Sequence, residues 1–197
     1  KGKYSLTDDD LLSFDNVSAT IGKELQQQAI YASLITVICI LIYVTFRFEF
    51  YFGLAAIIAL VHDLLIVIGV YTIFQIPVSS TFIAALLTIL GYSINDTIVV
   101  FDRIRENRRK YSKFDYGNLI DDSINQTLAR SINTSLTTII AISALYIVGV
   151  SSIKEFILPL MIGFISGTYS SIFIASSLWY VIKNGQAKKI QSKLKTK

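Results

Sequence analysis

Apolar residues gather in five long stretches separated by short polar breaks: Ala29 to Phe46, Tyr51 to Phe74, Thr81 to Phe101, Ser131 to Val150 and Phe156 to Ile182. About 20 residues of α-helix cross the hydrocarbon layer of a bilayer, and each stretch approaches or exceeds that length. Inside hydrocarbon every backbone N–H and C=O must be bonded within the chain, so such stretches form helices. Strands of a membrane barrel are about 10 residues long and alternate polar with apolar, a pattern these stretches lack. The chain therefore reads as an all-α membrane protein, a bundle of five transmembrane helices at 29–46, 51–74, 81–101, 131–150 and 156–182. Composition strengthens this reading and excludes a water-soluble domain. Hydrophobic residues make up 53% of the 197 and charged residues 16%, against about 25% charged in soluble proteins, and the mean hydropathy is +0.57.

The breaks between the stretches carry the orientation. Lys and Arg number fourteen over the first break, the connection 102–130 and the segment after Ile182, against four over the remaining segments. The positive-inside rule then puts the connection and the C-terminus in the cytoplasm and residues 1–28 outside. The net charge of +4 would suggest nucleic acid only if the basic residues formed one face of a soluble domain; here they mark a side of the membrane. The tail 183–197 holds six lysines and no acid, which suits either attraction to anionic lipid or a solvated extension.

Residues 1–28 read as the end of an external domain, with Phe14 to Ile21 as a short alternating strand. A chain that starts outside, with Lys1, is expected to be a fragment. In the connection, helix continues from Phe101 to Tyr111, supported by Asp102 with Arg105 and by Glu106 with Arg109 and Lys110. A break near Asp115 to Gly117 precedes a second helix, Asn118 to Arg130, expected at the membrane surface. Pro77 falls in a turn and Pro159 in the first turn of the last span, where helices tolerate proline. The one cysteine, Cys39, reads as a buried apolar filler.

Charge near the bilayer centre costs about 2.5–3.5 kcal/mol on insertion scales, so each instance calls for a reason. The second span holds His62 and Asp63 near its midpoint, the third holds Asp96, and Arg130 opens the fourth from the cytoplasmic side. Asp96 and Arg130 are at comparable depth, where pairing would lower the cost of both. Tyr92 and Ser93 share the helical stripe of Asp96, and Thr127, Arg130, Thr134, Thr137 and Thr138 share one on the fourth span, with Asn95, Thr97, Gln126 and Asn133 adding polar lining. Two readings stand for Asp96 and Arg130: a proton relay whose protonation selects a conformation, or a fixed ion pair. His62 and Asp63 are candidates for the same relay, although neighbours on a helix point about 100° apart. In the last span Gly163, Gly167, Ser171 and Ala175 recur every four residues, a spacing that lets a second helix approach closely, for static packing or for sliding. Zinc-ligand spacings, nucleophile elbows, phosphate loops and paired catalytic carboxylates are all missing from the sequence, so an enzyme, a metal or a cofactor is not expected.

The segment Gly91-Tyr-Ser-Ile-Asn-Asp-Thr-Ile-Val-Val-Phe-Asp-Arg-Ile-Arg-Glu-Asn107 resembles the signature of the SecF family, the smaller half of the bacterial SecD/SecF pair within the resistance-nodulation-division superfamily. Further resemblance lies in Gly22-Lys-Glu-Leu25, Arg47-Phe-Glu49, His62-Asp63, Ser123 to Arg130, Thr134 to Thr138 and Gly167 to Ala175. The resemblance implies half of a pseudo-symmetric transporter core, whose five spans correspond to the family's second to sixth, standing alone or as the C-terminal part of a SecDF fusion. It implies a multi-pass protein of the bacterial cytoplasmic (inner) membrane that uses the proton motive force to promote protein export. The implied partners are SecD, the SecYEG translocon, a YidC-type insertase and the exported polypeptide. Asp96 and Arg130 fall on the family's proton-transport positions. The competing readings are a proton-coupled lipid or drug exporter half of the same superfamily and a passive scaffold of the translocon.

Overall fold

The computed structural model describes residues 19–112 and 114–195. Six helices follow one another: α1 (Ala19–Arg47), α2 (Phe50–Ile73), α3 (Ser80–Asn107), α4 (Tyr116–Val148), α5 (Ser151–Ser170) and α6 (Ser176–Lys195). A π-helical turn, Ser171–Ala175, joins α5 to α6, and a 3₁₀ turn, Arg108–Lys110, ends α3. Five helical rods are long and apolar enough to cross a membrane, the last being α5 continued into α6. No strand occurs among the described residues. Most of the expected strand at Phe14 to Ile21 lies outside them, and Ala19 to Ile21 belong to the first turn of α1.

Helices outrun their apolar stretches at several ends. The expected surface helix and the fourth span are one 33-residue helix, α4, because residues 118–148 contain neither Gly nor Pro to interrupt it. The connection 102–130 is accordingly helical at both ends rather than a separate segment. In α5, Ser151 to Glu155 already continue the backbone ladder, so Pro159 is inside the helix rather than in its first turn. It removes one i→i−4 bond there. Helix α2 ends where Gln75 adopts a left-handed φ of 51° and Ile76 donates its N–H back to the Tyr71 carbonyl at 3.0 Å. That closure is the usual αL stop, with Pro77 just beyond it.

Helix α5 is the hub and packs against α2, α3 and α4. A Cβ built on Gly163 would stand 2.5 Å from Ile89 Cγ1 and Cδ1, and one on Gly167 would stand 3.0 Å from Ser93 Cβ. Glycine at both sites allows α5 to lie this close to α3. Ser171 and Ala175 continue the same four-residue series into the π turn, both fully buried.

Two apolar clusters fill the bundle. One is built on Phe52, Leu60, Leu90, Phe101 and Trp179, the other on Val67, Tyr71, Phe82, Ile89 and Phe164. Few residues of α1 are buried, and its Leu34, Ile38 and Ile42 face outward. Cys39 shares that surface; it is not a buried filler, because α1 packs mainly on α2 and leaves the rest of its circumference uncovered.

Candidate functional site: two carboxylates and a hydroxyl layer

Between the two apolar clusters lies a polar layer centred on Asp63, whose side chain is fully buried. Ser93 of α3 donates to Asp63 Oδ2 at 2.6 Å. From α5, Ser166 donates to Oδ1 at 2.7 Å and Ser170 to Oδ2 at 2.7 Å. His62 Nδ1 lies 3.3 Å from Oδ1, close enough to bring the two neighbours into one site despite their divergence along the helix. A buried carboxylate is tolerable only when its oxygens accept several hydrogen bonds, and three hydroxyls from two helices meet that condition. The layer continues beside it: Thr97 Oγ1 and Ser171 Oγ are 2.8 Å apart, and Ser171 also donates to the Ser93 carbonyl at 3.3 Å.

The π turn begins at once after Ser170. Its wider ladder leaves the Ser171 carbonyl to Ser176, whose hydroxyl donates to it at 3.2 Å. Single π turns inside helices are frequent at functional sites, and this one places Ser170 on Asp63 and Ser171 on Thr97.

Asp96 lies one helical turn from Ser93 and is half-buried between α3 and α4. Ser131 of α4 donates to its Oδ1 at 2.7 Å. Its Oδ2 is buried and has no hydrogen-bond partner among the described residues. Arg130 acts on Asp96 through space, but among the described residues no ion pair joins them. Arg130 is exposed and lines a cleft of about 340 Å³ with Tyr43, Arg47, Asp102 and Glu106. Adjacent residues diverge by about 100° around a helix, and on α4 it is Ser131 that hydrogen-bonds Asp96. In the same region Arg47 stands 3.6 Å from Asp102, and Glu106 pairs with Arg103 at 2.8 Å.

The residues named from sequence divide accordingly. Asp63, His62, Ser93 and Thr97 are brought together; Asp96 is next to them on the α4 side. Tyr92 stacks on Phe164 with ring centroids 3.9 Å apart, and its buried hydroxyl has no partner among the described residues. Asn95, Arg130 and Thr134 are exposed. Thr137 and Thr138 bond the carbonyls of their own helix, at 2.9 Å and 2.8 Å.

The chain matches the family of SecD/SecF protein export membrane proteins, in its C-terminal part, over residues 3–185. It belongs to that family. It is 49% identical to the protein translocase subunit SecF of Sebaldella termitidis over 175 residues, covering 88% of this chain and 57% of that one. The protein translocase subunit SecDF of Thermus thermophilus is 47% identical over 174 residues, 88% of this chain and 24% of that protein. A crystal structure of SecDF in a super-membrane-facing form superposes with a TM-score of 0.81 at 44% identity, over 90% of this chain and 24% of that one. The chain thus spans somewhat over half of these SecF relatives and about a quarter of the SecDF ones. With its apolar helices, this SecD/SecF family member is a multi-pass membrane protein.

Sequence reasoning about this SecD/SecF chain missed Ser131, Ser135, Ser166 and Ser170. On α4 the buried polar edge is Ser123, Thr127, Ser131 and Ser135, a strict four-residue ladder of small hydroxyls that was available as a signal. Ser135 Oγ meets Thr168 Oγ1 of α5 at 2.6 Å. The threonine stripe drew attention because threonine is conspicuous in an apolar run, yet Thr127, Thr137 and Thr138 satisfy themselves on their own backbone.

Proposed function

We propose that the chain forms part of a SecF-type subunit that uses the proton motive force, together with a SecD half, to promote export of proteins across the bacterial cytoplasmic membrane. The observation that carries this reading is the state of Asp96: a half-buried carboxyl held on one side by Ser131, with its second oxygen unmatched. Such a group is equipped to take up and release a proton without dismantling the packing around it. Its missing partners belong to the other half-bundle, since the ion sites of repeat-built transporters form where two halves meet. The exposed apolar face of α4, with Ile132, Leu136 and Ile140, is suited to that contact.

The relatives are named protein translocase subunits, which favours protein over lipid or drug as the cargo. One solved SecDF is described as a translocon-associated membrane protein, which supports placing this chain beside a SecYEG-type translocon; a YidC-type insertase is a further partner of the proposal. The basic connection and tail are cytoplasmic and residues 1–28 outside, as the charge distribution favours. Arg130, in its open cleft beside Asp102 and Glu106, approaches Asp96 in one state and withdraws in the other. A charge crossing 100 mV releases about 2.3 kcal/mol, enough to bias two conformations about fifty-fold.

The test is Asp96→Asn in the complete SecD/SecF complex. Assembly is expected to survive, because an amide oxygen still accepts from Ser131, while export loses its dependence on the proton gradient. Wild-type stimulation of export by the gradient in this variant refutes the relay.

A further inference from the structure

A groove of about 640 Å³ runs between the first half of α4 and the π turn with the start of α6, a volume in the range of about 300–1,000 Å³ typical of ligand sites. From Gly117 to Leu128 its α4 wall is about 16 Å long at helical rise. Both walls are graded. On α4 the polar members, Asp121 and Asn125, precede Leu128, whereas on the other wall Ile172 and Phe173 precede Ser177 and Tyr180. The two walls run antiparallel, since Tyr116 meets Trp179 at one level and Ser135 meets Thr168 at another. The polar members of both walls therefore gather at one end and the apolar ones at the other. Tyr180 stands at the polar end, next in sequence to Trp179, whose ring lies 5.8 Å from that of Tyr116, and aromatic residues of this kind mark the headgroup level of a bilayer.

The charge of the groove runs against its surroundings. Lys and Arg crowd the connection 102–130 and the tail, yet among the described residues no Lys, Arg or His lines the groove. The neighbouring acids are engaged, Asp122 by the Tyr111 hydroxyl and Asp115 by the Asn118 amide. Asp121 is exposed, and none of the ion pairs among the described residues includes it. A carboxylate in that position attracts a cation and repels an anionic headgroup. At the other end Phe173 is 59% exposed beside Leu128 and Ile172, an apolar surface open to the hydrocarbon. Polar at headgroup level and apolar deeper in, the groove has the grading of a phospholipid rather than that of an apolar helix.

We propose that this groove seats a phospholipid whose headgroup ends in a primary ammonium, with Asp121 as its counter-charge and one acyl chain along Leu128, Ile172 and Phe173. An ammonium offers three N–H donors, which a lone carboxylate at the groove mouth accepts. The phosphate of the same headgroup takes its hydrogen bonds from Asn125 and Ser177, both exposed members of the lining. The acyl chain covers Phe173 and Ile172 of the π turn. None of the carboxyls of the proposed relay takes part, so this site stands or falls independently of that reading.

The full-length protein with its SecD half, in detergent micelles, is titrated by calorimetry with dioctanoyl phosphatidylethanolamine, dioctanoyl phosphatidylglycerol and dioctanoylglycerol. Saturable binding of phosphatidylethanolamine is expected, tighter than that of phosphatidylglycerol, with dioctanoylglycerol weakest. In Asp121→Asn, phosphatidylethanolamine should bind about threefold more weakly, the size of a partly exposed ion pair, while phosphatidylglycerol does not weaken. Asp121→Lys should reverse the preference between the two headgroups, an outcome that structural damage does not produce. Leu128→Asn, at the apolar end, should weaken both phospholipids alike; if that variant misfolds, the two substitutions at exposed Asp121 still decide. Phosphatidylglycerol bound as tightly as phosphatidylethanolamine by the wild type, a preference unchanged in Asp121→Lys, or no saturable binding of either phospholipid overturns the proposal.

Discussion

Replacing Asp63 tests whether the hydroxyl layer holds α2, α3 and α5 together. The carboxylate accepts from Ser93, Ser166 and Ser170. Bonds to a charged acceptor contribute about 1.5–3 kcal/mol each, which offsets a desolvation cost of several kcal/mol for the buried ion. The net value of the intact cage is therefore small, and the penalty of a substitution comes from donors left behind. Asp63→Leu keeps the bulk and removes the acceptor. Ser170 retains a fallback, the Gly167 carbonyl at 3.2 Å, whereas Ser93 and Ser166 have Asp63 as their acceptor. Two orphaned donors at about 1–3 kcal/mol each put the loss at about 2–6 kcal/mol. Asp63→Asn leaves one oxygen in place and forces one hydroxyl to turn and accept, a loss of about 1–2 kcal/mol. Thermal unfolding of the full-length protein in detergent is expected to rank wild type above Asp63→Asn and Asp63→Leu last. Adding Ser93→Ala and Ser166→Ala to Asp63→Leu removes the orphans and is expected to restore much of the loss, a coupling that additive damage cannot produce. A Leu variant that melts with the wild type, or a triple variant worse than the single, refutes this account.

Three further outcomes follow from other contacts. Gly163→Ala drives a methyl into Ile89, a stiff β-branched side chain with no exposure; overpacking of about 1–3 kcal/mol exceeds the helix-propensity gain of up to about 1 kcal/mol. The variant should melt lower than wild type, and by less on an Ile89→Ala background. Tyr111 donates to Asp122, and that bond holds its phenol above its ordinary value of 10.0. Because the folded state keeps the proton longer, its contribution to stability is complete below pH 10 and disappears as pH rises through the higher folded value. The phenolate difference spectrum between wild type and Tyr111→Phe should therefore shift to lower pH in Asp122→Asn, and an unchanged midpoint would count against the bond. Cys39, exposed on the apolar face of α1, should react with a lipid-soluble maleimide and resist a charged one in intact vesicles; equal rates would contradict a membrane-facing α1.

What was legible beforehand tracks the range of the physics involved. Five spans were visible because hydropathy is a local sum, and the costly groups Asp63 and Asp96 stood out because charge in an apolar stretch is conspicuous. Helix ends were less visible: the first half of α4 is polar, so its continuity from Tyr116 depends on the absence of a breaker rather than on any apolar signal. The partners of Asp63 were hidden for a different reason. They come from 30, 103 and 107 residues along the chain, and a serine says nothing by itself about which helix it will face. Arg130 shows a different limit. Depth and charge suggested Asp96 as its neighbour, and it does act on Asp96 through space, but helical phase decides which residue of α4 makes the hydrogen bond, and that is Ser131, one step along the helix.

The two carboxylates are satisfied to different degrees, and under the proposed function that difference separates their roles. Asp63 has every bond it can use: protonating it would discard charge-assisted bonds from hydroxyls on two helices, so a proton arriving there must loosen the contact of α2 with α3 and α5. Asp96 has a single hydroxyl on one oxygen and nothing on the other, so a proton added to its free oxygen breaks no bond within the chain. A carrier that cycles must bind its ion without large local rearrangement and pass the consequence to something stiffer. Asp96 meets the first condition and the Asp63 layer the second. The layer meets α3 at Ser93, one turn from Asp96; Ser93 serves the Asp63 cage and packs against Gly167 of the hub helix. A shift of α4 drawn by the charge on Asp96 therefore reaches α5 by two routes, the Ser135 to Thr168 contact and the close α3–α5 packing. The π turn just beyond Ser170 interrupts the regular α ladder where both routes arrive, a feature frequent at functional sites.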